Sequence, residues 1–189
     1  MVKRETKQVW MVVAIVLAAI TIDQALKIYI ATHYELGESR VITPWFWLCH
    51  IQNNGMAFGI EWFSKLALTL FRLVAVGLFG WYTHVLIYKQ HAKTGFIATI
   101  ALVIAGALGN IIDCVCYGKL FGYAGWMYGK VVDMFYFPLI HNSAGEVIFF
   151  RPVFNFADSC ITCAVAIILL FYLKDMKLDS EEKKEETQE

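Results

Sequence analysis

Four apolar stretches, each about as long as a lipid bilayer is thick, constrain what this chain can fold into more than any other feature. They cover residues 9–31, 66–88, 96–116 and 156–173. A helix needs roughly 20 mostly apolar residues to cross a hydrocarbon core about 30 Å thick. Hydrophobic residues make up 59% of the chain and charged residues 17%, whereas soluble domains have about 45–50% and 25%. The sequence therefore predicts an all-α integral membrane protein with four transmembrane helices.

Lysine and arginine residues are unevenly distributed around these helices. They gather at both chain ends and in the short hairpin between the second and third helices, as Lys3, Arg4, Lys7, Lys89, Lys93, Lys174, Lys177, Lys183 and Lys184. Because cytoplasmic loops are rich in basic residues, both termini and the hairpin are expected in the cytoplasm and the two long connections outside. The first helix is expected to be retained, because its apolar run continues into Asp23 and Gln24 without a cleavage pattern.

The composition of the long outer connections indicates that they contain structure of their own. Residues 41–52 are rich in β-branched and aromatic side chains, which predicts a small extracytoplasmic β-rich segment. Residues 61–65 predict an interfacial turn or short helix before the second helix. Residues 179–189, nearly all charged or polar, predict a disordered tail. Residues 1–178 would then form a single membrane domain. With 16 basic and 16 acidic residues, the chain has no electrostatic footprint for nucleic acid.

Ionisable and amide side chains inside the predicted spans are costly and mark candidate sites. Asp23 and Lys27 are four residues apart on one face of the first helix, where they form either a simple ion pair or the support of a site. Asn110 and Asp113 share a stripe of the third helix with glycines that permit close helix packing. Arg72 is expected to extend from the second helix toward the outer interface.

Two further carboxylates stand at the outer edge of the predicted bilayer. Asn155 and Asp158 open the fourth helix, where they can simply form its N-cap and capping box. Asp133 lies in the apolar run Val131–Phe137, whose desolvation is expected to raise the pKa of this carboxyl. If Asp133 and Asp158 meet, they can share one proton, as the carboxyl pair of aspartic proteases does. All these groups lie near one leaflet, which predicts a site at the extracytoplasmic interface.

Five short motifs follow one another along nearly the whole chain. They are Asp23-Gln24-x-x-Lys27, Asn53-x-Gly55-x-Ala57-Phe58, Gly106-Ala-x-Gly109-Asn110-x-x-Asp113, Val132-Asp133 and Phe154-Asn155-x-Ala157-Asp158. Together they resemble the motifs of the bacterial lipoprotein signal peptidases, the type II signal peptidases. The resemblance implies an aspartic endopeptidase of the inner membrane that uses no metal or other cofactor. It implies Asp133 and Asp158 as the catalytic pair. It also implies a substrate-binding set of Asp23, Lys27, Asn53, Gly55, Asn110, Asp113 and Asn155.

The resemblance implies a substrate as well: a membrane-held prolipoprotein whose cysteine carries a diacylglyceryl group. The enzyme would cut just before that cysteine, with one ionised aspartate activating water and the other, protonated, bonding the scissile carbonyl. Asp158, in the first turn of a helix, is expected to be the base and Asp133 the acid, because a helix N-terminus favours negative charge. Membrane lipids are the other implied partners, and the protein is expected to be a monomer.

The chain departs from this family in two places. The family usually has an arginine directly after the third-motif aspartate, where this chain has Cys114, and a basic residue where it has Gln52. The family arginine helps to hold carbonyl groups of the substrate. We expect a basic residue of the enlarged outer loop, Lys119, Lys130 or Arg151, to take over that role.

Two other functional classes compete with this interpretation. A small proton- or ion-coupled transporter would use the same aspartates, but they cluster near one leaflet and no inverted repeat is visible. A structural scaffold would not explain two isolated acids at one interface. The pairs Cys114-x-Cys116 and Cys160-x-x-Cys163 lack the spaced histidines of a zinc site, and the five cysteines are interpreted as free thiols.

Overall fold

The computed structural model describes residues 3–54, 65–142, 147–149 and 152–172. Helices and strands follow in the order α1 (Arg4–His33), β1 (Ser39–Thr43), β2 (Phe46–Asn53), α2 (Lys65–Tyr88), α3 (Thr94–Ile112), α4 (Gly118–Leu120), β3 (Val131–Tyr136), β4 (Ile140–His141), β5 (Val147–Phe149) and α5 (Phe156–Ile167). Helices α3 and α5 continue into π-helical turns at Asp113–Tyr117 and Ile168–Tyr172.

Several sequence-based predictions concern residues beyond these ranges. They are Gly55 of the second motif, the interfacial turn before Lys65, Arg151 of the outer loop, and the charged tail at 179–189. These lie outside the described residues and stay predictions.

Three helices are long and apolar enough to cross a membrane: α1, α2, and α3 together with its continuation to Leu120. A further apolar helix, Phe156–Tyr172, is shorter within the described range. Large apolar side chains such as Trp10, Phe71 and Leu170 are exposed on the outward faces of α1, α2 and the end of α5, as expected where lipid is the solvent. The fold is that of a mostly helical membrane protein with a small sheet.

Helix α3 lies at the centre of the helices, with most of its apolar stretch buried, whereas α1 and α2 face mostly outward. Its glycines allow the close contacts. A Cβ at Gly109 would lie 2.6 Å from Asp23 Oδ2 and 3.1 Å from the Cβ of Ala157, and one at Gly106 would overlap the carbonyl of Ala157. Close packing at these small residues, predicted from the sequence, is therefore confirmed.

A three-stranded antiparallel sheet in the order β1-β2-β3 covers one end of the helices. Its first two strands confirm the strands predicted within residues 41–52. Strand β3 also pairs with the chain just before α5, because the Phe135 amide donates to the Phe154 carbonyl at 2.8 Å and the Phe154 amide donates back at 3.1 Å. This short pairing sets the N-terminus of α5 beside β3. The apolar cluster that packs β3 against α1 consists of Ile30, Tyr34, Tyr117, Val132 and Met134.

Candidate active site

Asp133 points from β3 into the protein, and only 2% of its surface is exposed. Its carboxylate is held by two amides on different elements. Asn155 Nδ2 donates to Asp133 Oδ1 at 2.6 Å, and Asn53 Nδ2, at the end of β2, donates to Oδ2. Burial in this apolar strand, and next the negative charge of Asp158, raise the pKa of Asp133 to about 7. The structure thus brings the two carboxylates into electrostatic range of each other.

Asp158 lies in the first turn of α5, and its position follows from the cap of that helix. Asn155 is the N-cap: its side-chain oxygen accepts from the Asp158 amide at 2.9 Å, while Asp158 Oδ2 accepts from the Asn155 amide at 3.4 Å. The capping box predicted from the sequence is therefore confirmed. The same asparagine that caps the helix also reaches across to Asp133.

Asn110 of α3, together with Asn155, forms a hydrogen-bonded bridge between the two aspartates. Its amide nitrogen donates to Asp158 Oδ1 at 2.8 Å, and its oxygen accepts from Asn155 Nδ2 at 3.1 Å. Asn110 and Asn155 together therefore contact both carboxylates. These neutral amides can orient the pair without adding charge.

A buried ionic cluster lies beneath this bridge, with Lys27 at its centre. The Lys27 ammonium is fully buried and contacts Asp23 at 2.9 Å, Asp113 at 2.8 Å and the Asn110 oxygen at 2.9 Å. Of the two interpretations that the sequence left open for Asp23 and Lys27, a simple ion pair or a support, the contacts favour the support. The ammonium links α1 to the amide that holds Asp158.

Asp23 and Asp113, the two carboxylates of this cluster, also bind backbone amides next to Asp158 and Asp133. Asp23 Oδ1 accepts from the Ala157 amide at 2.8 Å, one residue before Asp158. Asp113 Oδ2 accepts from the Val132 amide at 3.3 Å, one residue before Asp133. The Lys27 cluster therefore fixes the main chain next to each member of the pair.

Sequence reasoning missed two residues of this network, Gln24 and Tyr117. Gln24 Nε2 donates to Asp113 at 2.9 Å and to the Gly109 carbonyl at 3.1 Å, and its oxygen accepts from the Tyr117 hydroxyl at 3.0 Å. Gln24 could have been found from the sequence, because it stands next to Asp23 in the first motif. Tyr117 is the last residue of the π-helical turn after α3, and such turns are frequent at functional sites. The residue pattern gave no indication of a π-helical turn at this position.

Arg72 Nη1 donates to the Cys114 thiol at 3.2 Å, in the contact between α2 and the end of α3. That this side chain extends toward the outer interface stays a prediction. Among the basic residues expected to compensate for Cys114, Lys119 is exposed, Lys130 is half-buried, and Arg151 lies outside the described residues. The expectation that one of these three takes over stays a prediction.

All five cysteines, which fall within the described ranges, are free thiols, as interpreted from the sequence. In the described part of the chain, no group of three or more histidine, cysteine, aspartate or glutamate side chains is arranged to hold a metal ion.

Comparisons with known protein sequences all match this chain to one family. Residues 15–174 match the family described as Signal peptidase (SPase) II. The lipoprotein signal peptidase of Porphyromonas gingivalis is 40% identical over 197 residues, which cover 92% of this chain and 87% of the relative. That of Lactiplantibacillus plantarum is 34% identical, and the match covers 92% of this chain and 99% of the relative.

Comparison with solved structures points the same way. Two of them, each described as a bacterial membrane enzyme structure obtained by the in meso method, match with TM-scores of 0.66 and 0.65. Both are 28% identical to this chain and cover 87% of it, and the matches extend over 88% and 93% of the solved chains.

Proposed function

This chain belongs to the signal peptidase II family, and on that premise we propose that it cleaves diacylglyceryl-modified prolipoproteins with Asp133 and Asp158 as an aspartic pair. Family membership makes it a bacterial membrane protease whose substrates are prolipoproteins. One observation carries the finer proposal. Two carboxylates from different elements contact the same residue, Asn155: Asp133 accepts from its side-chain amide and Asp158 accepts from its backbone amide. The charge of Asp158 also helps to raise the pKa of Asp133 to about 7. A carboxyl pair that holds one proton near neutral pH is what this reaction requires.

The proposed reaction uses water as the nucleophile. Asp158, ionised, accepts a proton from water as the water oxygen attacks the scissile carbonyl carbon, while protonated Asp133 donates a hydrogen bond to the carbonyl oxygen. The carbon–nitrogen bond then breaks, and a proton passes to the leaving nitrogen, which becomes the amino group of the lipidated cysteine. The signal peptide leaves with a new carboxylate, and the pair again holds one proton.

The two aspartates take different roles because their surroundings differ. Asp158 sits in the first turn of α5, where the helix N-terminus stabilises negative charge. Asp133 sits in a buried strand that favours its neutral form. These surroundings support Asp158 as the base and Asp133 as the acid.

The remaining site residues bind or position the substrate. Asn53, Asn110 and Asn155 offer neutral amide donors and acceptors to a peptide backbone or an ester, and Gly55 follows Asn53 in the second motif. The buried ionic cluster stabilises this group, because the Lys27 ammonium contacts Asn110 as well as Asp23 and Asp113.

We further propose how the protein sits in its membrane. Four helices span the inner membrane, with the apolar helix that begins at Phe156 as the fourth. Both termini lie in the cytoplasm, and the site lies near the extracytoplasmic face, where water can reach a scissile bond while the acyl chains stay in the bilayer. The protein acts as a monomer surrounded by membrane lipids.

Cleavage of a diacylglyceryl-modified prolipoprotein, followed by gel shift, tests the assignment. Asp133→Asn and Asp158→Asn should each abolish processing, whereas Asp179→Asn, a matched change in the charged tail, should cleave as the wild type does. Retained cleavage in either of the first two variants would overturn the catalytic pair. The comparisons do not favour the transporter alternative.

A further inference from the structure

Tyr117 is buried beside the strand that carries Asp133, and the proposed chemistry gives it no role. Its side chain is 1% exposed, and its ring belongs to the apolar cluster that contains Val132 and Met134, the two residues on either side of Asp133. The ring of Phe121 meets it edge-on, with the two ring centroids 5.0 Å apart. Because phenylalanine would serve equally well in such packing, the hydroxyl needs a reason of its own.

The Tyr117 hydroxyl is directed at Gln24 of α1. It donates to Gln24 Oε1 at 3.0 Å. A buried hydroxyl without a partner is costly, and a glutamine oxygen can only accept, so the tyrosine must be the donor. The bond therefore fixes which end of the Gln24 amide faces Tyr117.

The other end of the Gln24 amide holds Asp113. The amide nitrogen donates to Asp113 Oδ1 at 2.9 Å and to the Gly109 carbonyl at 3.1 Å, and it lies 3.1 Å from Asp23 Oδ2. A reversed amide would turn its oxygen toward these acceptors and lose the bonds to all of them. The tyrosine hydroxyl and the carboxylates consequently select the same orientation of the amide.

The orientation of Asp113 matters because its second oxygen reaches β3. With Oδ1 held by Gln24, Oδ2 accepts from the Lys27 ammonium at 2.8 Å and from the Val132 amide at 3.3 Å. The bond from Val132 is the longest of these, and it joins Asp113 to the residue before Asp133. A small rotation of the carboxylate would therefore weaken this bond first.

The π-helical turn Asp113–Tyr117 brings both partners of the glutamine onto one short segment. Gln24 bonds to the first residue of the turn through its nitrogen and to the last residue through its oxygen. Turns of this kind are frequent at functional sites. This one is bonded to the strand that carries the proposed acid.

We propose that Tyr117 is a positioning residue for Asp133 that acts through Gln24 and Asp113. The inference rests on the proposed function, because it names what holds Asp133 in place while this acid bonds to the scissile carbonyl. Tyr117 contacts neither the substrate nor the attacking water in this scheme. Its hydroxyl orients the glutamine amide, the amide orients the Asp113 carboxylate, and that carboxylate holds the backbone next to the acid. A small displacement of a catalytic group lowers the rate, because the reacting atoms must be aligned.

Tyr117→Phe tests the proposal, because it removes the hydroxyl and keeps the ring. The values of kcat and KM for a diacylglyceryl-modified prolipoprotein are measured on the purified full-length protein in lipid nanodiscs, well below the melting temperature of each variant. We expect kcat to fall about threefold to tenfold, the worth of one hydrogen bond, with KM within about twofold. Tyr128→Phe, the matched change at an exposed tyrosine, should match the wild type.

Gln24→Met tests the route from Tyr117 to Asp113. Methionine has a similar length but lacks the amide, so kcat should fall at least as far as in Tyr117→Phe. Adding Tyr117→Phe to Gln24→Met should lower kcat by no more than about a further twofold, because the bond that it removes is already gone. Losses that multiply in the double variant would show that Tyr117 does not act through Gln24 and would overturn the proposal.

Hydrogen exchange of the β3 amides is a second measurement, and it carries the test of the route if Gln24→Met does not fold. The Val132 amide, which is held by Asp113, should exchange faster in Tyr117→Phe than in the wild type. Tyr128→Phe should leave its exchange unchanged. An unaltered rate at Val132 in Tyr117→Phe would contradict the route.

A wild-type kcat in Tyr117→Phe, with only a lower melting temperature, would mark a purely structural hydroxyl and overturn the positioning role. That result leaves the aspartate pair intact if Asp133→Asn and Asp158→Asn are inactive. Full activity in those two variants would instead remove the proposed function itself.

Discussion

Asn155 donates its side-chain amide to Asp133 at 2.6 Å while capping the helix that carries Asp158. One asparagine therefore ties the conformation of a helix end to the orientation of a carboxylate on a strand. The two tasks use opposite ends of the same amide, the oxygen for the cap and the nitrogen for Asp133. They can consequently be separated by substitution.

Asn155→Ser should separate them. Serine keeps an oxygen that caps the helix but lacks the nitrogen that donates to Asp133 and to Asn110, so the melting temperature should stay above that of Asn155→Ala. We expect kcat to fall about tenfold to a hundredfold, because the buried Asp133 carboxyl loses a hydrogen bond, at about 1–3 kcal/mol. Asn155→Ala should lose the cap as well, which costs about 1 kcal/mol of stability. A wild-type kcat in Asn155→Ser would contradict the positioning role.

The pH dependence of cleavage should show a limb near neutrality. Desolvation and the charge of Asp158 raise the pKa of Asp133 to about 7, so its proton is present below that pH and is lost above it. Because the proposed acid must be protonated, kcat/KM should decrease as pH rises through about 7. The measurement is kcat/KM from pH 4 to pH 9, and a value that stays constant from pH 6 to pH 9 would argue against Asp133 as the acid.

Lys27→Met should destabilise the protein strongly. It leaves Asp23 and Asp113 buried without their shared cation, and breaking a buried ion pair from one side costs about 3–5 kcal/mol. Asp113→Asn added to Lys27→Met should restore part of the loss, because one of the two uncompensated charges is then gone. Thermal unfolding in one detergent measures both variants. Lys119→Met, at an exposed lysine, is the control and should unfold near the wild-type temperature; a double variant no more stable than Lys27→Met would refute the account.

Gly109→Ala tests the contact between α1 and α3. The added Cβ would lie 2.6 Å from Asp23 Oδ2, so a helix or a carboxylate must move, at a cost of about 1–3 kcal/mol. The matched control is Gly77→Ala in α2, where nothing lies within 4 Å of the new methyl. That change should be neutral or stabilising by about 0.5–1 kcal/mol, because alanine favours a helix. Equal melting temperatures for the two variants would show that Gly109 is not needed for close packing.

Much of the fold could be predicted because lipid imposes a simple length rule. The predicted second span, 66–88, differs from α2 by one residue, and the strands within residues 41–52 were visible in their β-branched and aromatic side chains. The capping box of Asn155 and Asp158 could also be predicted from a local pattern, because it joins residues three apart in the sequence. Signals that depend on neighbours in the chain were therefore sufficient for these elements.

The rest depends on contacts between residues far apart in sequence. The bond that the Ala157 amide donates to Asp23 and the bond that Arg72 donates to Cys114 each join two different helices. No local sequence pattern encodes either bond. The π-helical turn at Asp113–Tyr117 adds a residue to one turn and so shifts Tyr117 toward Gln24. A regular helical period of 3.6 residues cannot anticipate such a shift.

The pairing of Phe135 with Phe154 has a consequence for how this membrane protein comes into being. Proteins emerge from the ribosome N-terminal end first, so α1, α2, α3 and the sheet are made before α5. Until Phe154 docks on β3, Asp133 has no second carboxylate beside it. If the two aspartates act as proposed, a partly synthesised chain is inactive, and hydrolysis becomes possible only after this late step of biogenesis.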